Sequence, residues 1–130
     1  MHKNILPEGW PRPKGYSNGV LAEGRTLFIA GQIGWNEQEK FESDDFVAQT
    51  EQALKNIVAV LKAAGGEPRH IARMTWYVVD KREYLGALAE IGKVYKAVLG
   101  AVYPAMSLVQ VAGLVEDRAR VEIEATAVIP

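Results

Sequence analysis

Apolar and polar positions alternate with two different periods along this chain. From Asp44 to Ala64, Phe46, Thr50, Ala53, Leu54, Ile57, Leu61 and Ala64 recur every three or four residues, which predicts an amphipathic helix. Ser43 or Asp44 is placed to cap its start, and Gly65-Gly66 to end it. A second helix is expected after Asp80, with Glu83 completing a box-like cap. Leu85, Leu88, Tyr95 and Leu99 would form its inner face, and Gly100 would stop it. The final stretch, Ala119 to Ile129, alternates strictly. Ala119, Val121, Ile123, Ala125, Ala127 and Ile129 share one face, and Arg120, Glu122, Glu124, Thr126 and Val128 share the other.

Three further segments read as strands: Thr26–Ile33, Ile71–Val79 and Met106–Ala112. A shorter run, Tyr16–Ala22, precedes the turn Glu23-Gly24-Arg25 and is expected to form a hairpin with Thr26–Ile33. Gly31 inside that strand suggests a bulge or a close backbone approach. Residues 1–15 carry Pro7, Pro11 and Pro13 and read as an irregular arm, and residues 34–42 as a polar loop. The order β-β-α-β-α-β-β predicts one α+β domain over residues 1–130, a two-layer sheet with two helices on one face. The opposite face has no helix to cover it, and Trp35 and Trp76 remain to be placed, which implies oligomerisation.

Composition narrows the function classes. Apolar residues make up 48% of the 130 residues and the net charge is −1, so no long-range field attracts nucleic acid or an acidic membrane. The absence of cysteine excludes thiolate chemistry, and two histidines distant in sequence make a histidine metal site unexpected. No signal peptide or membrane span is recognised, so a cytoplasmic protein without metal is expected.

Glu122 and Glu124 point to one strand face, where a half-buried carboxylate can serve as a general base on water. The plainer reading is a solvated face of charges. Tyr16 offers a hydrogen-bonding hydroxyl, and Gly31-Gln32 a pair of backbone N–H groups, though each equally suits packing or a bulge. Arg69, His70 and Arg73 form a small basic group beside Trp76 and Tyr77, which reads better as a solvated turn than as an RNA site.

Several segments together resemble the RidA/YjgF family, also called the endoribonuclease L-PSP family. They are YSNGV (16–20), LFIAGQIG (27–34), QTEQALKNIVAVLKAAGG (49–66), RMTWYVVD (73–80), YPAMSLVQVAGL (103–114) and VEIEATAV (121–128). The resemblance implies a chorismate-mutase-like fold and a homotrimer whose sheets line a central barrel. It also implies clefts between subunits that bind small carboxylates, and hydrolysis of enamines or imines to keto acids and ammonia without a cofactor. Tyr16 matches the family's cleft tyrosine, Gly31 its cleft-wall glycine, and Glu122 the glutamate that positions or activates water.

The departures are specific. Family deaminases carry arginine where this chain has Met106, and that arginine grips the substrate carboxylate through a two-pronged contact. Ala30 replaces a family serine, and Gly92 stands where asparagine is common. Leu108 shares the strand face of Met106 and makes the pocket more apolar. Ordinary 2-iminopropanoate deaminase activity is therefore expected to be weak or absent. Two readings stay open: a hydrolase of altered specificity, in which Arg120 or a neighbouring subunit supplies the missing cation, and a non-catalytic metabolite-binding or partner-binding trimer. A ribonuclease, suggested by the family's other name, is disfavoured by the acidic balance.

Overall fold

The computed structural model describes residues 2–130. The strands are β1 (Lys3–Ile5), β2 (Gly19–Leu21), β3 (Arg25–Ile33), β4 (Ile71–Val78), β5 (Ala105–Gln110) and β6 (Val121–Ile129). The helices are α1 (Phe46–Ala63), α2 (Lys81–Leu85) and α3 (Leu88–Leu99), with a single 3₁₀ turn at Pro68–His70. The main sheet has the order β3-β6-β4-β5. Only β4 and β5 run parallel, and the crossover that such a pair needs is supplied by α2 and α3. Together these elements form the expected α+β layers, with helices packed on one face of a mixed sheet.

Helix α1 forms because its apolar stripe meets the sheet. Ala53, Leu54, Ile57 and Leu61 are fully buried with Met74, Val78, Val121 and Ile123 in one core. Truncating Leu54 or Ile57 to alanine is expected to destabilise by about 2–5 kcal/mol. The cap is Asp45, one residue beyond the pair expected, and its carboxylate accepts from the Ala48 N–H at 2.9 Å. Ser43 serves one step earlier, accepting from Asp45 N–H. At the other end Gly65 adopts φ +79, and Gly65 and Gly66 donate to the carbonyls of Lys62 and Leu61. On β6 the predicted alternation holds: Val121, Ile123, Ala125, Ala127 and Ile129 are buried under the helices.

Three expectations are corrected. First, β2 does not pair with β3. It pairs antiparallel with β1, a strand inside the arm read as irregular, and the two form a small separate sheet. Pro7, Pro11 and Pro13 all follow β1, so none removes a donor from that ladder. Second, the helix after Asp80 is two helices. The chain breaks at Gly86 and Ala87, and the change of direction leaves Leu85 and Leu88 exposed while Ile91, Tyr95 and Leu99 are buried. Asp80 caps α2 through Arg82 N–H, but Glu83 reaches Arg120 instead of closing the box. Third, Trp76 belongs to the helix-side core, at 2% exposure. The exposed large apolar groups on the uncovered face include Phe28, 79% exposed, and Val109.

Gly31 does sit in an irregular stretch: the β3–β6 register shifts between Ile29 and Gln32. No helix is long and apolar enough to cross a membrane.

Candidate functional site

The residues singled out from sequence fall into two groups at opposite sides of the sheet. Glu122 and Gly31 form the first. They lie on β6 and β3, and the Glu122 carboxylate is packed over the Gly31 backbone. A Cβ built on Gly31 would fall 2.1 Å from Glu122 Oε2, so only glycine leaves the carboxylate its place. Glu122 is half-buried and stands in register with Tyr77 on β4. The neighbouring Glu124 is engaged: Tyr77 Oη donates to its Oε1 at 2.6 Å, which raises the Tyr77 pKa above its ordinary value. Glu122 has no such partner among the described residues.

Tyr16, Met106 and Leu108 form the second group, at the start of β5. Ser17 bridges to Ala105, and its N–H donates to the Pro104 carbonyl, which fixes Tyr16 beside the strand. Met106 and Leu108 stand in register with Met74 and Trp76 and pack against the helix-side core. Leu108 is absent from the cavity wall; Met106 is part of it. The cavity measures about 330 Å³ and lies between β5 and α3. Its aromatic wall is Trp76, Tyr84, Tyr95 and Tyr103. The Trp76 and Tyr95 rings stack at 6.5 Å, and Tyr84 meets Trp76 edge-on at 6.3 Å. Tyr95 Oη donates to the Val102 carbonyl at 2.5 Å, tying α3 to the connection before β5. Burial, with Tyr103 beside it, pushes the Tyr95 hydroxyl pKa well up. Tyr16 opens on an adjoining cavity that shares Gly15 and Tyr103.

Gly92 lines the Met106 cavity from α3. Two of the positions at which the family resemblance marks a departure, 92 and 106, therefore share one wall, whereas Ala30 is exposed on β3. Arg120, offered as a substitute anchor, is committed elsewhere: its Nη2 lies 2.6 Å from Glu83 Oε1, joining the start of β6 to α2.

The basic trio does not form one patch. Arg69 pairs with Glu67 at 2.9 Å, His70 is buried, and Arg73 is exposed on β4. The fold does bring the distant histidines together, with ring centroids 6.4 Å apart beside a cavity of about 210 Å³. Sequence spacing carried no sign of this, because β1 was read as coil. Among the described residues no group of three His, Asp or Glu side chains could hold a metal ion.

A family model described as endoribonuclease L-PSP matches residues 11–129. The chain belongs to that family, the RidA/YjgF family. A RutC family protein of Pyrococcus horikoshii is 34% identical over 98% of both chains. The 2-iminobutanoate/2-iminopropanoate deaminase of Escherichia coli is 35% identical, again over 98% of each. Among solved structures, the Rid family protein YyfB of Yersinia pestis, itself of unknown function, superposes with a TM-score of 0.87 at 36% identity over 98% of both chains. E. coli TdcF with bound serine superposes with a TM-score of 0.70 at 34% identity, covering 98% of this chain and 99% of that one. RidA-family membership accounts for the sheet with helices on a single face.

Proposed function

We propose that this RidA-family chain is an imine or enamine hydrolase of altered specificity, with its cleft formed between copies of the chain in a homotrimer. The observation that carries this reading is the placement of Met106 and Gly92 on one cavity wall, while Glu122 and Gly31 sit together on the other side of the sheet. One chain alone does not bring Glu122 to the Met106 cavity. β5 and β3 are the two edges of the sheet. A neighbouring copy that packs its uncovered face near the β3 edge, with Gly31 and Glu122, across the β5 edge of the first brings the two groups together. The exposed Phe28 and Val109 favour a covered sheet face.

In such a cleft Glu122 accepts a proton from water as the water oxygen attacks the C=N carbon. The resulting carbinolamine expels ammonia after its nitrogen is protonated, and the ketone is released. Tyr16 orients the ligand. Met106 offers no cation, so a small 2-imino acid loses a two-pronged contact in which each charged hydrogen bond contributes about 1.5–3 kcal/mol. Glu122→Gln should abolish hydrolysis of imino acids generated in situ. An unchanged rate overturns the mechanism.

The uncharged wall at Met106 also supports a second reading, a trimer that binds a metabolite without consuming it. Thermal stabilisation by a compound that is recovered intact supports it. Turnover of that compound, lost in Glu122→Gln, rejects it.

A further inference from the structure

Helix α3 presents Leu88, Ile91, Gly92, Tyr95 and Lys96 to the Met106 cavity, an i, i+3, i+4, i+7, i+8 series. Four of these suit an apolar wall; Lys96 does not. It is the only charged side chain on that wall, and no carboxylate lies among the lining residues. Lys96 forms no ion pair among the described residues, whereas Arg69, Arg118 and Arg120 each have one. The Trp76 ring also lines the cavity; its indole N–H is buried out of reach of water and without a partner, so the ring offers the occupant an apolar surface only. Gly92 leaves open space where a side chain would stand, since a Cβ there meets nothing within 4 Å.

We infer that the cavity takes a 2-oxo or 2-imino acid with a bulky aromatic or branched apolar side chain, and that Lys96 holds its carboxylate. The side chain stacks against Tyr84, Trp76 and Tyr95 and fills the space left by Gly92. Met106 closes the wall as an adaptable apolar group. The ammonium gives one flexible contact where a guanidinium fork gives two, so the ring supplies a larger share of the affinity. Small substrates lacking that ring are selected against. This assignment rests on the reading of the chain as an imine-acid protein, but its test uses binding alone.

The test is equilibrium titration of the full chain, followed by tryptophan fluorescence and calorimetry, with three stable probes. They are 2-oxo-3-phenylpropanoate, pyruvate, and the neutral ketone 1-phenylpropan-2-one. Wild type should bind the phenyl acid at least about tenfold more tightly than pyruvate. Lys96→Met should weaken the phenyl acid by about tenfold and leave the neutral ketone unchanged. Lys96 is exposed, so its substitution should leave the melting temperature in place. Gly92→Phe should fill the space and displace both aromatic probes. The assignment is overturned by equal binding of pyruvate, by a Lys96→Met variant that binds the phenyl acid normally, by aromatic binding that survives Gly92→Phe, or by no binding of any probe. Oxo-acid binding without imine turnover removes the hydrolase reading and leaves this one standing; turnover without the Lys96 effect does the reverse.

Discussion

Met106 and Glu122 lie on opposite faces of one sheet, with β4 between their strands. Met106 is in register with Met74, which is fully buried beneath the helices, while Glu122 is in register with Tyr77 on the uncovered face. A ligand small enough to be hydrolysed at one carbon cannot reach both from within one chain. The hydrolase proposed above therefore requires a site shared by two copies.

Mixing two inactive variants tests that sharing. Glu122→Gln lacks the base, and Gly92→Phe blocks the cavity. Refolded together, they should recover about a quarter of the wild-type rate if subunits assort at random, because each site draws one side from each chain. Each variant alone should stay inactive. Failure of the mixture to recover activity places both groups in one chain's site.

Gly31→Ala should separate activity from stability. The added methyl would contact Glu122 Oε2, Cδ and Cγ at 2.1, 2.7 and 2.9 Å, so the carboxylate must turn away. We expect kcat/KM to fall by tenfold or more, with a stability loss of about 1 kcal/mol. Parallel kinetics and urea melts check this. A large loss of stability with unchanged kcat/KM per folded molecule would make Gly31 a purely structural residue.

Gln49 is a residue whose role the pattern of the sequence concealed. It sits on the buried stripe of α1, fully inaccessible, and its amide donates to the Ser43 and Arg118 carbonyls, each at 3.0 Å, and accepts from Arg120 N–H at 2.8 Å. These bonds fasten the approach to β6 against α1. Gln49→Leu leaves three backbone groups unpaired and should destabilise by about 3 kcal/mol in urea denaturation.

His70 gives the fold a pH dependence. Its Nδ1 accepts from Glu67 N–H at 3.0 Å, which requires the neutral ring, and its Nε2 is buried without a partner. Burial is the main cause lowering its pKa, and the nearby Arg69 guanidinium adds to it; Glu67 opposes, and His2 acts with Arg69. The unfolded chain therefore binds the proton more readily than the native one. Stability from this group is fully present above the ordinary histidine value of about 6.5 and is lost as pH falls below it toward the native pKa. The melting temperature should drop between pH 7 and 5, and His70→Asn should flatten that slope. An equally steep slope in the variant would assign the effect to other groups.

Much of this architecture was legible from periodicity. The stripe on α1 and the alternation of β6 each face a core that a single chain supplies, so local pattern and burial agree. The β1–β2 pairing was not legible, because three-residue strands carry too little pattern and prolines close by obscure them. The break at Gly86 was hidden because leucines on both sides kept a helical spacing while the chain changed direction. For the site, Glu122, Gly31 and Met106 came from family resemblance, not spacing. The cation was the signal overlooked: Lys96 shares a helical stripe with Ile91, Gly92 and Tyr95, and a lysine on an apolar stripe marks a place where the core ends and a cavity begins.

The most direct measurement compares hydrolysis of 2-iminopropanoate, generated in situ, by wild type and Met106→Arg under identical conditions. The expected result is little or no turnover by wild type and a gain of at least tenfold in Met106→Arg, since a guanidinium at position 106 restores the carboxylate grip. Wild-type turnover equal to that of Met106→Arg would contradict the claim that Met106 sets the specificity of this cleft.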